Sequence, residues 1–417
     1  MRSNDSIHFC PPARVVLGCG SRAQLPGLLQ RLGYRRGILV TDTFFTQHTP
    51  WVREYVQAAH ACSIDTTVYE GGMPDPTTTL CDSATLALRA QMATQPDHVI
   101  ALGGGSNIDL AKALCLTLVD GKPIKSFVGA MQAAPRCLPL VAVPTTSGTG
   151  SEATPGAILV DPENATKVAV MDNQLRPVIA LIDPEFTYSC PPRVTADAGI
   201  DALTHAIESY LTLDSWAFER NGNPDPGYSG RSTLTMAFAR EAIGLCARFL
   251  LRAYHDGSDT EARIGMAYAS HYAALSYGSS GLNAIHGIAY AVAGITHQSH
   301  GSTNAVTMPY VLDELTSVRR AEMLEIARLF GIDDADENAA VGKLPMRIRD
   351  IVAELGIPPT FAQFGVSRDQ LPGLLQDALQ VTRLASAFPV PDVPAAYGRI
   401  VERAFEGRFL HAEATEA

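Results

Sequence analysis

The stretch Asp97-His-Val-Ile-Ala-Leu102 runs straight into Gly103-Gly104-Gly105-Ser106 and on into Asn107-Ile-Asp-Leu-Ala-Lys112. A short, unbroken apolar run suits a strand covered on both faces, and such strands belong to parallel sheets flanked by helices. The same order of apolar run, turn and helical pattern recurs through the first 183 residues. It predicts strands at 37–42, 65–70, 97–102, 138–144, 157–161, 166–171 and 178–183, with helices near 50–61, 78–93 and after Ser106. Residues 6–17 read as extended, and Ser21 is the expected cap of a helix reaching about residue 32. Gly18-Cys19-Gly20 reads as a plain turn, because Ala23 stands where a third glycine of the dinucleotide fingerprint belongs. The predicted fold class is α/β with a mostly parallel sheet in the first part of the chain.

After Asp183-Pro184 helical patterns dominate and strand signals nearly vanish. A boundary is expected between 184 and 192, giving an α/β domain over 1–187 and an all-helical domain over 188–417. Arg220 to Gly230 is rich in Asn, Pro and Gly and reads as a loop, and the tail from Ala412 as frayed. No apolar run approaches the roughly 18 residues of a membrane span, and the start lacks the apolar segment of a secretory signal. A net charge of −11 without a basic tract argues against nucleic acid as a partner. Eight dispersed cysteines with no Cys-x-x-Cys pair read as reduced thiols of a cytoplasmic protein.

Chemistry concentrates in a few phrases. Gly103, Gly104, Gly105 and Ser106 lie between a strand and a helix, where bare backbone and a helix N-terminus can receive phosphate; three glycines also make ordinary turns. Pro144-Thr145-Thr146-Ser147-Gly148-Thr149-Gly150-Ser151-Glu152 offers hydroxyls and amides to phosphate or ribose, or is a surface loop. Asp42 ends a strand and can accept from ribose hydroxyls, cap a helix, or both. Asp201 and His205 are four apart, so a helix stacks them on one face. With His286 and His300 they make one carboxylate and three imidazoles, a set without thiolate that suits iron(II) or zinc. An Asp/His pair at this spacing is also common on structural helices.

The phrases Thr195-Ala-Asp-Ala-Gly-Ile-Asp-Ala-Leu-Thr-His-Ala-Ile-Glu208 and His300-Gly-Ser-Thr-Asn-Ala-Val-Thr-Met-Pro309, with the glycine and threonine loops, resemble the iron-containing, or group III, alcohol dehydrogenases over roughly residues 8–405. The resemblance implies a dehydroquinate synthase-like fold and a metal, Fe2+ or Zn2+, held by Asp201, His205, His286 and His300. It implies NAD bound by Asp42, Gly103, Gly104, Gly105, Ser106, Asp109, Thr145, Thr146, Ser147, Thr149, Ser151 and Lys167, with Asp42 favouring NAD over NADP. The implied activity is a metal-dependent, NAD(H)-linked interconversion of a small alcohol and its aldehyde, by a homodimer. Tyr290, Asp109 and Lys167 are the candidate catalytic side chains.

Tyr290 marks a departure. Many members place a second His four residues after the third ligand; here the phrase is His286-Gly-Ile-Ala-Tyr290. Relatives with Tyr there, like hydroxyacid–oxoacid transhydrogenase, carry an insertion resembling residues 218–230, so a hydride shuttle with retained NAD is the alternative. A lyase of the dehydroquinate synthase type is disfavoured by the scarcity of Arg and Lys over 199–310, and a filament-forming fusion by chain length. His271 and His297 are expected to stand outside the metal site. Phe127, Tyr210 and the loop before Gly301 are candidates for shaping the substrate pocket.

Overall fold

Apolar runs too short for helices line up side by side in the computed structural model, which describes residues 6–130, 137–164, 166–220 and 222–410. They form β1 (Arg14–Leu17), β2 (Arg36–Val40), β3 (Asp65–Tyr69), β4 (His98–Gly103), β5 (Gly129–Ala130), β6 (Leu140–Pro144), β7 (Gly156–Asp161), β8 (Thr166–Met171) and β9 (Ile179–Ile182). Six of these build one sheet in the order β1-β9-β6-β4-β2-β3, with every neighbouring pair parallel. The other three form a small sheet in which β8 pairs parallel with β5 and antiparallel with β7.

Parallel strands need crossovers. These run through α1 (Leu25–Arg31), α2 (Thr43–His48), α3 (Trp51–Ala61), α4 (Thr78–Gln91) and α5 (Gly105–Asp120). Successive strand residues point to opposite faces, and both faces are covered. Ile38, Val99 and Ala101 pack with Ile108 and Leu114 of α5, whereas Leu39, Ile100 and Leu102 pack with Leu25, Leu29 and Val52. The strands therefore read as unbroken apolar runs.

Two local expectations need correction. The helix predicted from Ser21 is a 3-10 turn, Ser21–Gln24, followed by α1, and Ser21 does not cap it. Its hydroxyl donates to Ile182 O at 3.4 Å, while the carboxylate of Asp183 accepts from Gly20 N at 3.0 Å and Arg22 N at 3.2 Å. A cap arriving from 161 residues away leaves no local signature. Helix α2 is the second: a helix starts directly after Asp42, which caps it, ahead of the one expected near residue 50.

The rest of the chain is helical: α6 (Pro192–Leu211), α7 (Thr233–His255), α8 (Thr260–Ser280), α9 (Ala284–Thr296), α10 (His300–Leu315) and six more helices, from Arg320–Leu329 to Val393–Glu406. Every residue of α6 from Gly199 to Leu211 is buried, and Ile200, Leu203 and Ile207 share a core with Phe249, Leu250 and Met266. The chain makes two compact units. One comprises Cys10–Ser189 with Pro224–Gly227, and the other Met1–Phe9, Cys190–Asn223 and Tyr228–Ala417. Within the first, Arg176 donates to Gly227 O at 3.0 Å and Asn173 Nδ2 to Asp225 Oδ1 at 2.7 Å. Within the second, Ser229 Oγ donates to His8 O at 3.2 Å. The loop foreseen at 220–230 is irregular as expected, Asn221 lying outside the described residues, as does the tail from Ala412.

Lys112 of α5 is fully buried and donates to Thr154 O (2.9 Å), Thr154 Oγ1 (3.1 Å) and Gly156 O (2.7 Å). Burial pulls its pKa down to about 8, against the opposing pull of Asp109. These bonds tie α5 to the start of β7. Lys112→Met keeps much of the volume but strands the carbonyls of Thr154 and Gly156, and should cost about 2–5 kcal/mol. Thermal and urea melts followed by circular dichroism measure this, and an unchanged melt contradicts it.

Candidate active site

Helix α6 begins on Pro192, whose fixed backbone angle suits a first helical position. Two turns on, Asp201 and His205 project from one face, and both are buried. His286 is the third residue of α9, and His300 opens α10. Asp201 Oδ1 lies 3.8 Å from His205 Nε2, 3.9 Å from His286 Nε2 and 3.7 Å from His300 Nε2. One donor atom from each of the four residues falls within 4.8 Å of the others. One oxygen and three nitrogens converging at this spacing fit one divalent iron or zinc ion.

The same helix holds the other two in place. Glu208, also buried, accepts at Oε1 from Asn283 N (3.1 Å), Ile285 N (2.8 Å) and His286 N (3.3 Å), the opening amides of α9. Its second oxygen takes a short hydrogen bond from His286 Nδ1. With Nδ1 protonated, Nε2 of the neutral ring is left bare toward Asp201. Burial, opposed by these backbone donors, raises Glu208 to about 7. Burial also takes His286 well below the usual imidazole value, with His205 adding to the fall, so the ring stays in its ligating form. Asp197, one turn before Asp201, accepts from Ser302 N at 2.8 Å and from the hydroxyls of Ser299 and Ser302, thereby capping α10. A Cβ on Gly301 would lie 2.0 Å from Asp197 O, so only glycine lets α10 start this close to α6.

His205 is sandwiched by rings, stacking on Tyr277 at 4.1 Å and on His286 at 4.9 Å. The Tyr290 ring stacks on His300 at 5.8 Å. His271 is buried in α8, His297 is the left-handed cap residue of α9, and neither belongs to the four-residue group. Phe127 and Tyr210, considered for the substrate pocket, pack into cores, the Tyr210 hydroxyl on Glu325.

In the other unit, β4 and β6 are neighbours, with Gly103 beside Pro144. The glycine loop and the threonine loop therefore leave the sheet together, joined by Thr145 N donating to Gly103 O at 3.0 Å. A Cβ on Gly105 would lie 2.7 Å from the Thr149 side chain, and one on Gly104 3.7 Å from Thr146. Gly104 caps α5 without any side chain. Ser106 Oγ accepts from Asp75 N at 3.3 Å, and Asp75 pairs with Lys167 at 2.9 Å. Asp42 caps α2 through Phe44 N (2.9 Å) and takes Asn107 Nδ2 (2.8 Å) on its other oxygen. Asp109, its pKa raised by burial, accepts from Ile158 N at 2.9 Å. Ser147 and Ser151 lie in the threonine loop, Ser151 N donating to Thr149 Oγ1 at 3.4 Å.

Known proteins share this architecture. The pattern of the family described as iron-containing alcohol dehydrogenase matches residues 12–184, and that of the C-terminal part of the Fe-containing alcohol dehydrogenase family matches 228–392. The long-chain-alcohol dehydrogenase 1 of Geobacillus thermodenitrificans (strain NG80-2) is 33% identical, spanning 96% of this chain and 97% of its own. This chain belongs to the iron-containing alcohol dehydrogenase family. Another relative, the NAD-dependent methanol dehydrogenase of Bacillus methanolicus, is 30% identical over 89% of this chain and 93% of its own. A solved 1,3-propanediol oxidoreductase superposes with a TM-score of 0.86 at 27% identity, across 96% of this chain and all of that one.

As a member of the family the chain is an NAD(H)-linked oxidoreductase of alcohols and aldehydes, with NAD and iron as cofactors. Among the described residues no helix is long and apolar enough to cross a membrane. Sequence reasoning missed Asp197, Glu208, Asn283 and Asn304. For the first two a signal existed: the acids at positions 197, 201 and 208 fall on one side of a single helix. Glu208→Gln keeps the shape and loses the charge that fixes the His286 ring. Metal affinity should fall about 10–100-fold while the melting curve moves little; equal affinity by chelator competition contradicts this role.

Proposed function

We propose that Asp201, His205, His286 and His300 hold the metal, iron(II) in the first instance, with zinc accepted by the same donors. The observation carrying this is the convergence of one carboxylate oxygen and three imidazole nitrogens on one buried point. Bound there, the metal supplies Lewis acidity, which lowers the pKa of an alcohol and polarises a carbonyl. The glycine loop and the α5 N-terminus receive the pyrophosphate of NAD. Thr145, Thr146, Ser147, Thr149 and Ser151 supply hydroxyls and amides to it, and Asp42 accepts from the adenosine ribose. Asp109 and Lys167 act at this cofactor end. Tyr290 donates a hydrogen bond from its phenol and orients the substrate oxygen. The reaction is hydride transfer between a small alcohol and nicotinamide. We place the enzyme in the cytoplasm, in keeping with its eight dispersed cysteines, and as a homodimer.

The alternative, a hydride shuttle that never releases NAD, draws support from Tyr290 and from Pro224–Gly227, which belongs to the same compact unit as the glycine loop. A single assay separates the two. Metal-loaded protein with a short aldehyde should consume NADH one for one, which obligatory transhydrogenation forbids. In the same assay His205→Ala and His300→Ala should lose both bound metal and turnover, with circular dichroism and NAD binding unchanged. A full metal complement in either variant overturns the ligand assignment.

Asp42→Gly removes a charge that repels a 2′-phosphate. The ratio of kcat/KM with NADP to that with NAD should rise about tenfold, equivalent to ~1.4 kcal/mol. Loss of the α2 cap lowers stability by about 1 kcal/mol besides. A wild type that already prefers NADP contradicts this assignment.

A further inference from the structure

Asn304 lies on α10 one turn after His300 and is fully buried. Its Nδ2 is 2.9 Å from Asp201 Oδ1, 3.1 Å from His286 Nε2 and 3.3 Å from His300 Nε2. Three of the four converging donor atoms thus meet on one amide nitrogen. Its other end, Oδ1, is buried and has no hydrogen-bond partner among the described residues. An amide NH2 has two hydrogens, and this one faces three acceptors.

The arrangement is self-consistent only while those lone pairs are free. A cation held by Asp201, His286 and His300 takes them, and the hydrogens of Nδ2 then point at positive charge. The opposite end of the same planar group is an oxygen of nearly the same size, with no bond holding it where it is. Amide oxygens are hard donors that suit cations accepting more than four ligands, whereas zinc in protein sites settles readily at four.

We propose that Asn304 is a two-sided residue of the metal centre. Its NH2 holds the donors together before the metal arrives, and its Oδ1 turns to the metal afterwards as an additional ligand that favours iron(II) over zinc. This rests on the four-residue metal site proposed above.

The test uses the full chain, purified anaerobically, stripped with a chelator and dialysed against equal iron(II) and zinc(II), with bound metals counted by elemental analysis. Asn304→Leu should still bind one metal per chain, with the iron-to-zinc ratio shifted toward zinc by about tenfold or more. Asn304→Asp keeps an oxygen and loses the NH2. It should retain its metal and at least the wild-type preference for iron, while its metal-free form melts below metal-free wild type because two carboxylates face each other. An unchanged ratio in Asn304→Leu overturns the proposal. So does loss of metal from Asn304→Asp, since the site would then need the NH2 rather than the oxygen; this arm decides even if Asn304→Leu folds poorly. Failure of the underlying site looks different, for wild type would then take up neither metal.

Discussion

The carboxylate of Glu208 is buried against the first turn of α9, where it meets three main-chain amides and the His286 ring. Helix N-termini carry partial positive charge and unpaired N–H groups, so burying one demands an anion or another acceptor. Two such termini, those of α9 and α10, open at the ligand cluster, and the same helix answers both: Glu208 for α9 and Asp197 for α10. Cation and helix ends are alike in sign, so a metal here is unfavourable without the acids of α6. Asp197, Asp201 and Glu208 set the charge balance and, through the caps, the positions of two of the three histidines.

The loops proposed to receive the nucleotide solve a related problem by other means. There the N-cap of α5 is Gly104, which has no side chain to offer its opening amides. Gly103 lies so close to Asn107, and Gly105 to Thr149, that side chains at these two positions would collide with them. The loops owe their proximity to the pairing of β4 with β6, which are 37 residues apart from end to start. His286, His300 and the glycine loop thus sit where helices start, places where backbone hydrogen-bonding capacity must be met from outside the helix.

The sequence was most legible where signals were local. Strands β2, β4, β6 and β9 are visible because a sheet covered on both faces forces uninterrupted apolar runs, and the four donors because the phrases around them resemble those of a known family. What escaped was decided by distant partners. Asp183 supplants Ser21 as a cap from the other end of the unit. Strand β5, a pair of residues, exists only through β8. Asn304 looks like any helical asparagine until Asp201 of α6 and His286 of α9 meet it beside His300.

The two units exchange small pieces of chain. Residues up to Phe9 belong to the helical unit although the next 180 residues build the sheet unit, and Pro224–Gly227 belongs to the sheet unit although it interrupts the helical one. No single cut divides such a molecule into self-sufficient parts. A chimaera joining the sheet unit of one relative to the helical unit of another at residue 190 inherits both tabs from the wrong parent. Recombination, in evolution or in the laboratory, must therefore carry three crossovers beside the obvious one, and pairs of units should have diverged as matched sets.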